Sequence, residues 1–583
     1  MSRRIVIVGG VAGGASAAAK ARRTSEDVEI VLLEAGPYVS FANCGLPYHL
    51  GGEIEQRDEL FVVDESRLRS WFRIDVRTRT EAVGIDRASR TVELRGPGGD
   101  VEKLPYDRLV LATGAVASRP PVEGLDRPNV FFLRTVPDVD GIMACLSALR
   151  NGPKRAPHRA LVIGGGYIGL EAAEQLTRRG LQVTIVEMLP QLLAALDAEM
   201  AAPVKAAMEA AGCQVLLGEK VARVVECDGG AVAVTGSGRE LPFDLAVVAT
   251  GVRPNVRLAK GAGIVLGKTG AIRVDRYQRT SDPAVYAAGD NSETFHRVLG
   301  RAVNIALAGP ANKAGRVAGA NAALDLAGAG DDDPRRLRTG DVLGTSIVRA
   351  GAIAAAATGI TESQARAEGL TVAVTHLPGA SSAGYYPGAT RLLVKLVWEA
   401  PSGRLLGAQA VGEKGADKRI DVLATAIFAG MTVEDLEGLD LCYSPPFGSA
   451  KDAVNLAGYA AANARRGEAP AMSAKELLAA LNSGWRGAVL DVRTDKEWQG
   501  GHLDGALHVP LGELRQRLAE VPADRPVAVH CAGGYRSYLA QRILLNAGRK
   551  DVCNVLGGML LIGQTQAAAG GAPSGAAKNP ERT

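Results

Sequence analysis

Cysteine is scarce. Only seven occur in 583 residues (Cys44, Cys145, Cys213, Cys227, Cys442, Cys531 and Cys553). The number is odd and no Cys-x-x-Cys pair is present, which argues against a disulfide scaffold and against a zinc site, so no metal is expected. Net charge is also slight: 67 Lys+Arg against 63 Asp+Glu leave +4, and neither nucleic acid nor a membrane is implied as a partner. No run of about 18 strongly apolar residues, the kind that crosses a bilayer, is found. The start MSRRIVIVGG is basic, but glycines end its apolar run too early for a secretory leader. A soluble protein of reducing, cytoplasmic surroundings is the expectation. What is plentiful is glycine, 71 residues against a usual ~7%, which suggests many tight, phosphate-facing turns. The length, about four domains of ~150 residues, excludes a single small core.

The run Arg4 to Val8 meets Gly9-Gly10-Val11-Ala12-Gly13-Gly14 and then an alanine-rich helical stretch, Ala15 to Arg23. A second strand, Val28 to Leu33, ends in Glu34, twenty residues past Gly14, where a carboxylate can accept from a ribose hydroxyl. Val11 stands where the middle glycine of G-x-G-x-x-G would be, so the backbone must meet a pyrophosphate slightly differently there. The pattern returns complete at Ala160 to Ile163 with Gly164, Gly166 and Gly169, followed by the strand Val183 to Val186 and Glu187. No Arg or Lys closely follows Glu187 to take a 2′-phosphate, so the second pocket suits NADH better than NADPH. Two such fingerprints imply two dinucleotides, one held and one exchanging. LVLATG (109–114), AVVATG (246–251) and YAAGD (286–290) add strand-and-turn segments, the last ending in Asp290.

These residues resemble the pyridine nucleotide-disulfide oxidoreductases over roughly residues 1 to 465. The resemblance implies an α/β chain of two nested Rossmann-like domains: an FAD-binding domain (1–150 and 256–330) interrupted by an NAD(P)H-binding domain (151–255). An α+β dimerisation domain (335–465) would follow, making a homodimer. It further implies that Glu34 and Asp290 contact FAD, that Thr113 and Gly114 lie along it beside the turn from Gly9 to Gly14, and that the second glycine turn holds the nicotinamide cofactor.

Cys44, in SFANCGLPY (40–48), has no second cysteine four or five residues away. A dithiol reductase needs that pair to take two electrons as an internal disulfide; a lone cysteine must cycle through a mixed disulfide, a persulfide or a sulfenic acid. On composition alone such a cysteine is more often a buried structural residue, but its place in this sequence reverses that reading. The stretch is similar to the single-cysteine branch that holds coenzyme A-disulfide reductases, NADH oxidases and NADH peroxidases. AGYYPGA (383–389) and YSPPFGSAKD (443–452) resemble the coenzyme A-disulfide reductases, which implies that Tyr385 and Tyr443 approach the cysteine of the other subunit and position or protonate a departing thiolate. Lys451 would then meet the coenzyme A phosphates. Tyr386 and Tyr459 read as core or interface packing. The histidine that peroxidases carry in the first glycine turn is missing. Ser16, Lys20 and Arg23 are spaced for one helix face, and the family pattern places them with Ser40 and Asn43 around the coenzyme, with Arg73 and Asn312 as weaker candidates. Without that pattern a basic helix face is simply solvated.

GEAPAMS (467–473) reads as a linker. Beyond it, a helix (474–482) and strands at 488–492 and 527–530 lead to Cys531-Ala532-Gly533-Gly534-Tyr535-Arg536-Ser537. A cysteine at a strand end, followed by a glycine loop opening a helix with Arg536 at its mouth, can gather N–H groups and positive charge around a thiolate. Asp491-Val492-Arg493, Glu497-Trp498, Gly501-His502 and the loop appear in the order of a rhodanese domain, which residues 473 to 563 resemble, and this implies a persulfide on Cys531. Residues 567–583 lack apolar periodicity and read as a disordered tail. Together the resemblances imply an enzyme that passes reducing equivalents from NADH (or NADPH) through FAD to Cys44. Its substrates would be small thiol and persulfide species: coenzyme A persulfide, polysulfide and coenzyme A disulfide. An NADH oxidase, or a sulfur-carrying redox sensor, are the alternatives.

Overall fold

Every residue from Ile5 to Val8 is buried, as expected where both faces of a parallel sheet are covered. In the computed structural model, which describes residues 3–151, 157–227 and 230–568, Ile5 and Ile7 pack with Ala17, Ala21, Ala318 and Ala322 on one face. Val6 and Val8 pack with Val92, Leu94 and Leu104 on the other. The chain forms two units, Met1–Val186 with Glu219–Gly344, and Glu187–Gly218 with Thr345–Thr583.

The first unit holds the same design twice. Strands Val285–Ala287, Arg108–Leu111, Arg4–Val8, Glu29–Leu33 and Asp75–Arg77 lie side by side in that order, with Val6 opposite both Val31 and Leu109 in parallel register. An antiparallel trio, Glu81–Asp86, Thr91–Arg95 and Val101–Pro105, covers one face. The second copy has Arg159–Ile163 between Gln182–Glu187 and Leu245–Val248, with Val130–Phe132 beyond the latter and its own antiparallel trio, Val221–Cys227, Gly230–Thr235 and Glu240–Phe243. Ala115–Ala117 pairs antiparallel with Val252–Pro254 where the chain passes between the copies.

The first helix, Ala12–Thr24, begins three residues earlier than its composition suggests, because Val11 takes the cap position and Gly13 and Gly14 lie inside the helix. The second of these has no room for a side chain. A Cβ on Gly14 would stand 1.7 Å from the Gly9 carbonyl oxygen. Against this helix lies Ala308–Leu326, close enough that a Cβ on Gly315 or Gly319 would come within 2.1 Å of the Gly13 oxygen or 2.0 Å of the Ala17 oxygen.

The second unit carries an antiparallel sheet, ordered Ser346–Ala350, Ile353–Gly359, Leu405–Gly412, Arg391–Glu399 and Val372–Ala380. Lys395 on its fourth strand is 0% exposed. Its ammonium lies 2.9 Å from Asp197, 2.5 Å from Glu199 and 2.8 Å from Glu362, and His376 Nε2 lies 3.0 Å from Glu199. A parallel sheet follows, ordered Ala471–Met472, Val552–Val555, Val527–His530, Ala488–Asp491 and Leu507–His508. Its first strand falls inside the expected linker, where Ala471 pairs with Asn554. The last helix, Gly558–Ala568, includes residues 567 and 568 of the expected tail; the rest of that tail lies outside the described residues. Among the described residues no helix is long and apolar enough to cross a membrane.

Candidate active site

The strand ends and turns of the first copy enclose a cavity of about 340 Å³ whose lining includes Gly9, Glu34, Cys44, Thr113, Gly114 and Asp290. Gly9 closes it from behind: at φ +104° its absent Cβ would fall 2.1 Å from the Ala112 oxygen, a conformation and a fit that only glycine allows. Glu34 is set by its neighbours, accepting from the N–H of Gly10 at 2.8 Å and of Gly36 at 2.7 Å. Thr113 donates to the Asn255 carbonyl at 2.6 Å and accepts from the Asn291 amide at 3.1 Å. Asp290 meets Arg134 at 2.8 Å. A glycine-lined wall with a carboxylate at the end of each of two strands fits an extended dinucleotide such as FAD.

Cys44 lies in a single 3-10 turn, Asn43–Gly45, which runs into the helix Leu46–Gly51 with proline in its first turn. Burial of the sulfur raises the thiol pKa; the Glu171 carboxylate raises it further, while Arg134 opposes both. The residue itself is exposed, which leaves the sulfur open to an incoming thiol species. No other cysteine lines this cavity among the described residues. Asn43 donates to the Arg134 carbonyl at 3.0 Å. Ser40 adopts φ +48°, an uncommon conformation for a residue with a side chain. Its N–H donates to Gly10 and its carbonyl accepts from Val62.

Of the residues expected around a coenzyme, Ser16 and Asn312 meet, the hydroxyl donating to the amide oxygen at 2.6 Å. The glycine-faced contact between their two helices brings them together. Burial lowers the pKa of Lys20, and the positive charges of Arg316 and Arg23 lower it further. This end of the helix pair thus concentrates cations. Arg23 donates to the Ala19 carbonyl of its own helix. Arg73 does not line the Cys44 cavity; it is exposed and pairs with Glu26 at 3.7 Å.

In the second copy, Gly164 (φ +111°) repeats the part of Gly9, its absent Cβ falling 2.4 Å from the Ala249 oxygen, and Gly169 that of Gly14, 2.0 Å from the Gly164 oxygen. Gly166 has open space where its Cβ would be, which leaves the turn accessible to a pyrophosphate. Glu187 is buried and accepts from the Leu189 N–H at 2.8 Å.

In the second unit the hydroxyls of Tyr385 and Tyr443 are 3.1 Å apart. The phenols are 77% and 48% exposed, and their mutual hydrogen bond raises the Tyr443 pKa. Lys451 is exposed and immediately precedes Asp452, the buried cap of the helix Ala453–Arg465. In the C-terminal sheet Cys531 is 1% exposed. It accepts from the Gly534 N–H at 3.1 Å, and the Ser537 hydroxyl stands at 3.5 Å. Gly558 packs under this loop, where a Cβ would meet the Cys531 carbonyl at 2.2 Å. Arg536 does not stand alone at the loop mouth. It forms two parallel hydrogen bonds with Glu497, at 2.7 and 2.6 Å, and these hold the Glu497 carboxyl down at about 2.

Arg134, Arg316 and Glu497 were not singled out as site residues by the sequence reading. The cap at Thr135 and Asp138 was a local signal near Arg134, but nothing local aims its guanidinium at Asp290, 156 residues away.

Fold and site together define a two-dinucleotide flavoprotein reductase with a C-terminal sulfurtransferase-like module, and the chain belongs to the pyridine nucleotide-disulphide oxidoreductases. That family matches residues 3–315, its dimerisation domain residues 345–454, and a rhodanese-like domain residues 473–563. Members of the family use FAD and NAD(P)H. More particularly, the chain is similar to the crystal structure described as reduced Bacillus anthracis CoADR-RHD, at 40% identity and TM-score 0.91, covering 97% of this chain and 99% of that one. It is 33% identical to the "NAD(P)H coenzyme A polysulfide/persulfide reductase" of Pyrococcus horikoshii over 456 residues, 77% of this chain and 96% of that protein. It is 32% identical to the "NADH oxidase" of Methanocaldococcus jannaschii over 455 residues, 78% and 97% respectively.

Proposed function

We propose that the protein is a homodimeric cytoplasmic reductase that uses NADH, or NADPH, to reduce coenzyme A persulfide, polysulfide and coenzyme A disulfide through Cys44, coupled to rhodanese sulfur transfer at Cys531. The observation that carries this reading is a lone cysteine in the cavity between Glu34 and Asp290, with no second cysteine among its described lining residues. Bound FAD supplies a two-electron relay between the nicotinamide cofactor and sulfur. Glu34 and Asp290 would hold it, with Thr113 and Gly114 beside it in the same cavity, and the turn from Gly164 to Gly169 with Glu187 would take the nicotinamide cofactor.

Cys44 Sγ attacks the inner sulfur of coenzyme A persulfide. A bond forms between those two sulfurs, the substrate S–S bond breaks, and hydrosulfide leaves with the electron pair. The mixed disulfide between Cys44 and coenzyme A is then the electron acceptor. Tyr385 and Tyr443, supplied across the dimer interface, give the proton that the departing coenzyme A thiolate needs. Their exposure, with Tyr386 and Phe447 also exposed nearby in sequence, supports an interface, since monomers rarely leave such aromatic groups uncovered. The cations at Lys20, Arg23 and Arg316, with Ser16, Asn312, Ser40 and Asn43, offer the charge and polarity that coenzyme A phosphates require; Lys451 meets the same phosphates, and Arg73 is the weakest of the group.

Anaerobic NADH oxidation with coenzyme A persulfide or disulfide, with released sulfide recorded, tests the reading. Cys44→Ser should abolish turnover with FAD retained, and Cys531→Ser should leave disulfide reduction intact while stopping sulfurtransfer. NADH consumption that requires oxygen and ignores both coenzyme A substrates would replace it with an oxidase, the activity named for the M. jannaschii relative.

A further inference from the structure

A sulfane donor entering the Cys531 loop meets N–H groups first: Gly534 donates to the sulfur, and the helix Tyr535–Asn546 begins directly behind it. This is an anion-binding cradle in outline. Its charge, however, is already balanced. The Arg536 guanidinium, which also faces the Cys531 sulfur, spends its planar fork on Glu497 in a bidentate pair. Glu497 is not free to swing away, because its Oε2 also accepts from the Thr494 N–H at 3.0 Å and the Thr494 hydroxyl at 2.8 Å. Those bonds cap the helix Asp495–Gln499, so leaving Arg536 would uncap it. Two other ionisable groups of this domain bring no free positive charge: Arg493 is paired with Asp491 at 2.6 Å, and burial holds the His530 imidazole neutral, its pKa at about 4.

We infer that Glu497 sets the donor specificity of the Cys531 loop, admitting singly charged persulfides and disfavouring dianionic sulfane donors such as thiosulfate. This rests on the sulfur-transfer reading of Cys531 given above. With an alkyl persulfide, the Cys531 thiolate attacks the outer sulfur, a Cys531 S–S bond forms, the donor S–S bond breaks, and one thiolate leaves with the electron pair and takes a proton. With thiosulfate the same exchange expels sulfite, whose two charges develop beside an ionised carboxylate that already occupies the Arg536 guanidinium. No oxidant or reductant is consumed in either case.

The test is sulfur loading of the Cys531 peptide, followed by mass spectrometry on the full-length flavoprotein without NADH, comparing thiosulfate with 2-hydroxyethyl persulfide. The persulfide should load wild type faster. Glu497→Gln, which keeps an acceptor for Thr494 but removes the charge, should speed thiosulfate loading about tenfold, the order expected of one removed like-charge contact at a half-exposed site, and leave persulfide loading within about twofold. Thr494→Ala weakens the same cap while keeping the carboxylate and should leave the donor ratio unchanged. Equal loading of wild type by both donors, an unmoved ratio in Glu497→Gln, or a ratio moved equally by Thr494→Ala would each overturn the proposal alone. Loading by neither donor would overturn the sulfur-transfer reading and the proposal with it.

Discussion

Replacing Lys395 by methionine keeps the length of the side chain and removes one buried charge. The carboxylate oxygens of Asp197, Glu199 and Glu362 lie within 4.8 Å of one another around the ammonium. Without it they retain partial compensation: Gln409, the N–H groups of Glu362 and Ser363 and the Ser363 hydroxyl on Asp197, His376 on Glu199 and Arg366 on Glu362. Breaking a buried charge network from one side costs about 3–5 kcal/mol, which for a unit of this size lowers Tm by roughly 10 °C. The pH dependence identifies the cause. In the native protein Lys395 and its neighbours hold all three carboxyls below their ordinary values. Their contribution is therefore complete above the unfolded carboxylate pKa of about 4 and is lost as pH falls through the lower folded values. In Lys395→Met the same acids are buried and repel one another, so their folded values rise and proton uptake relieves the variant. Urea unfolding at pH 8 and pH 5.5 should show a gap between wild type and variant that narrows on acidification. A loss below about 1 kcal/mol, or an equal gap at both pH values, would refute this account of the cluster.

Two other perturbations test the glycine turn and the loop strand. Gly169→Ala would place a methyl 2.0 Å from the Gly164 oxygen, so the turn must shift; a loss of about 1–3 kcal/mol and a raised KM for NADH are expected, and an unchanged KM with unchanged Tm would count against a nicotinamide site there. Burial holds the His530 pKa at about 4 against about 6.5 unfolded, so the C-terminal domain should be fully stabilised above about pH 6.5 and lose up to roughly 3 kcal/mol as pH drops toward 4. His530→Asn should flatten that slope in hydrogen exchange of the Val527–His530 strand, and a slope that survives the substitution would refute the assignment.

The two glycine fingerprints and the Cys531 loop were legible because each packs strand, turn and helix into a few consecutive residues, and local sterics fix such a unit. Their repetition pointed to two dinucleotide sites, while the nested domain order, the dimerisation domain and the rhodanese domain came from the family resemblance. Boundaries were less legible where glycine serves two purposes: Gly13 and Gly14 read as turn but lie inside the helix Ala12–Thr24. The strand Ala471–Met472 was hidden because its reason is a pairing partner at residues 554–555. Long-range polar partners were hidden for the same cause. Nothing near Lys395 announces a buried lysine, since its strand is apolar on both sides and its counter-charges come from residues 197, 199 and 362. Ser16 and Asn312 were put together by family resemblance alone; their contact depends on two glycines, Gly315 and Gly319, that composition treats as helix-weakening.

The Cys531 loop is seated on its neighbour. A Cβ on Gly533 would fall 3.6 Å from the side chain of Pro378 on the strand Val372–Ala380, Tyr538 receives a hydrogen bond from Asn463, and Gln541 donates to the Pro470 carbonyl. The C-terminal module is thus no appendage that proteolysis could shed or gene surgery transplant without consequence. Cutting the chain near residue 470 would remove the Pro470 and Asn463 contacts from the helix that follows the Cys531 loop. A grafted rhodanese would have to match that seat before it could match the chemistry.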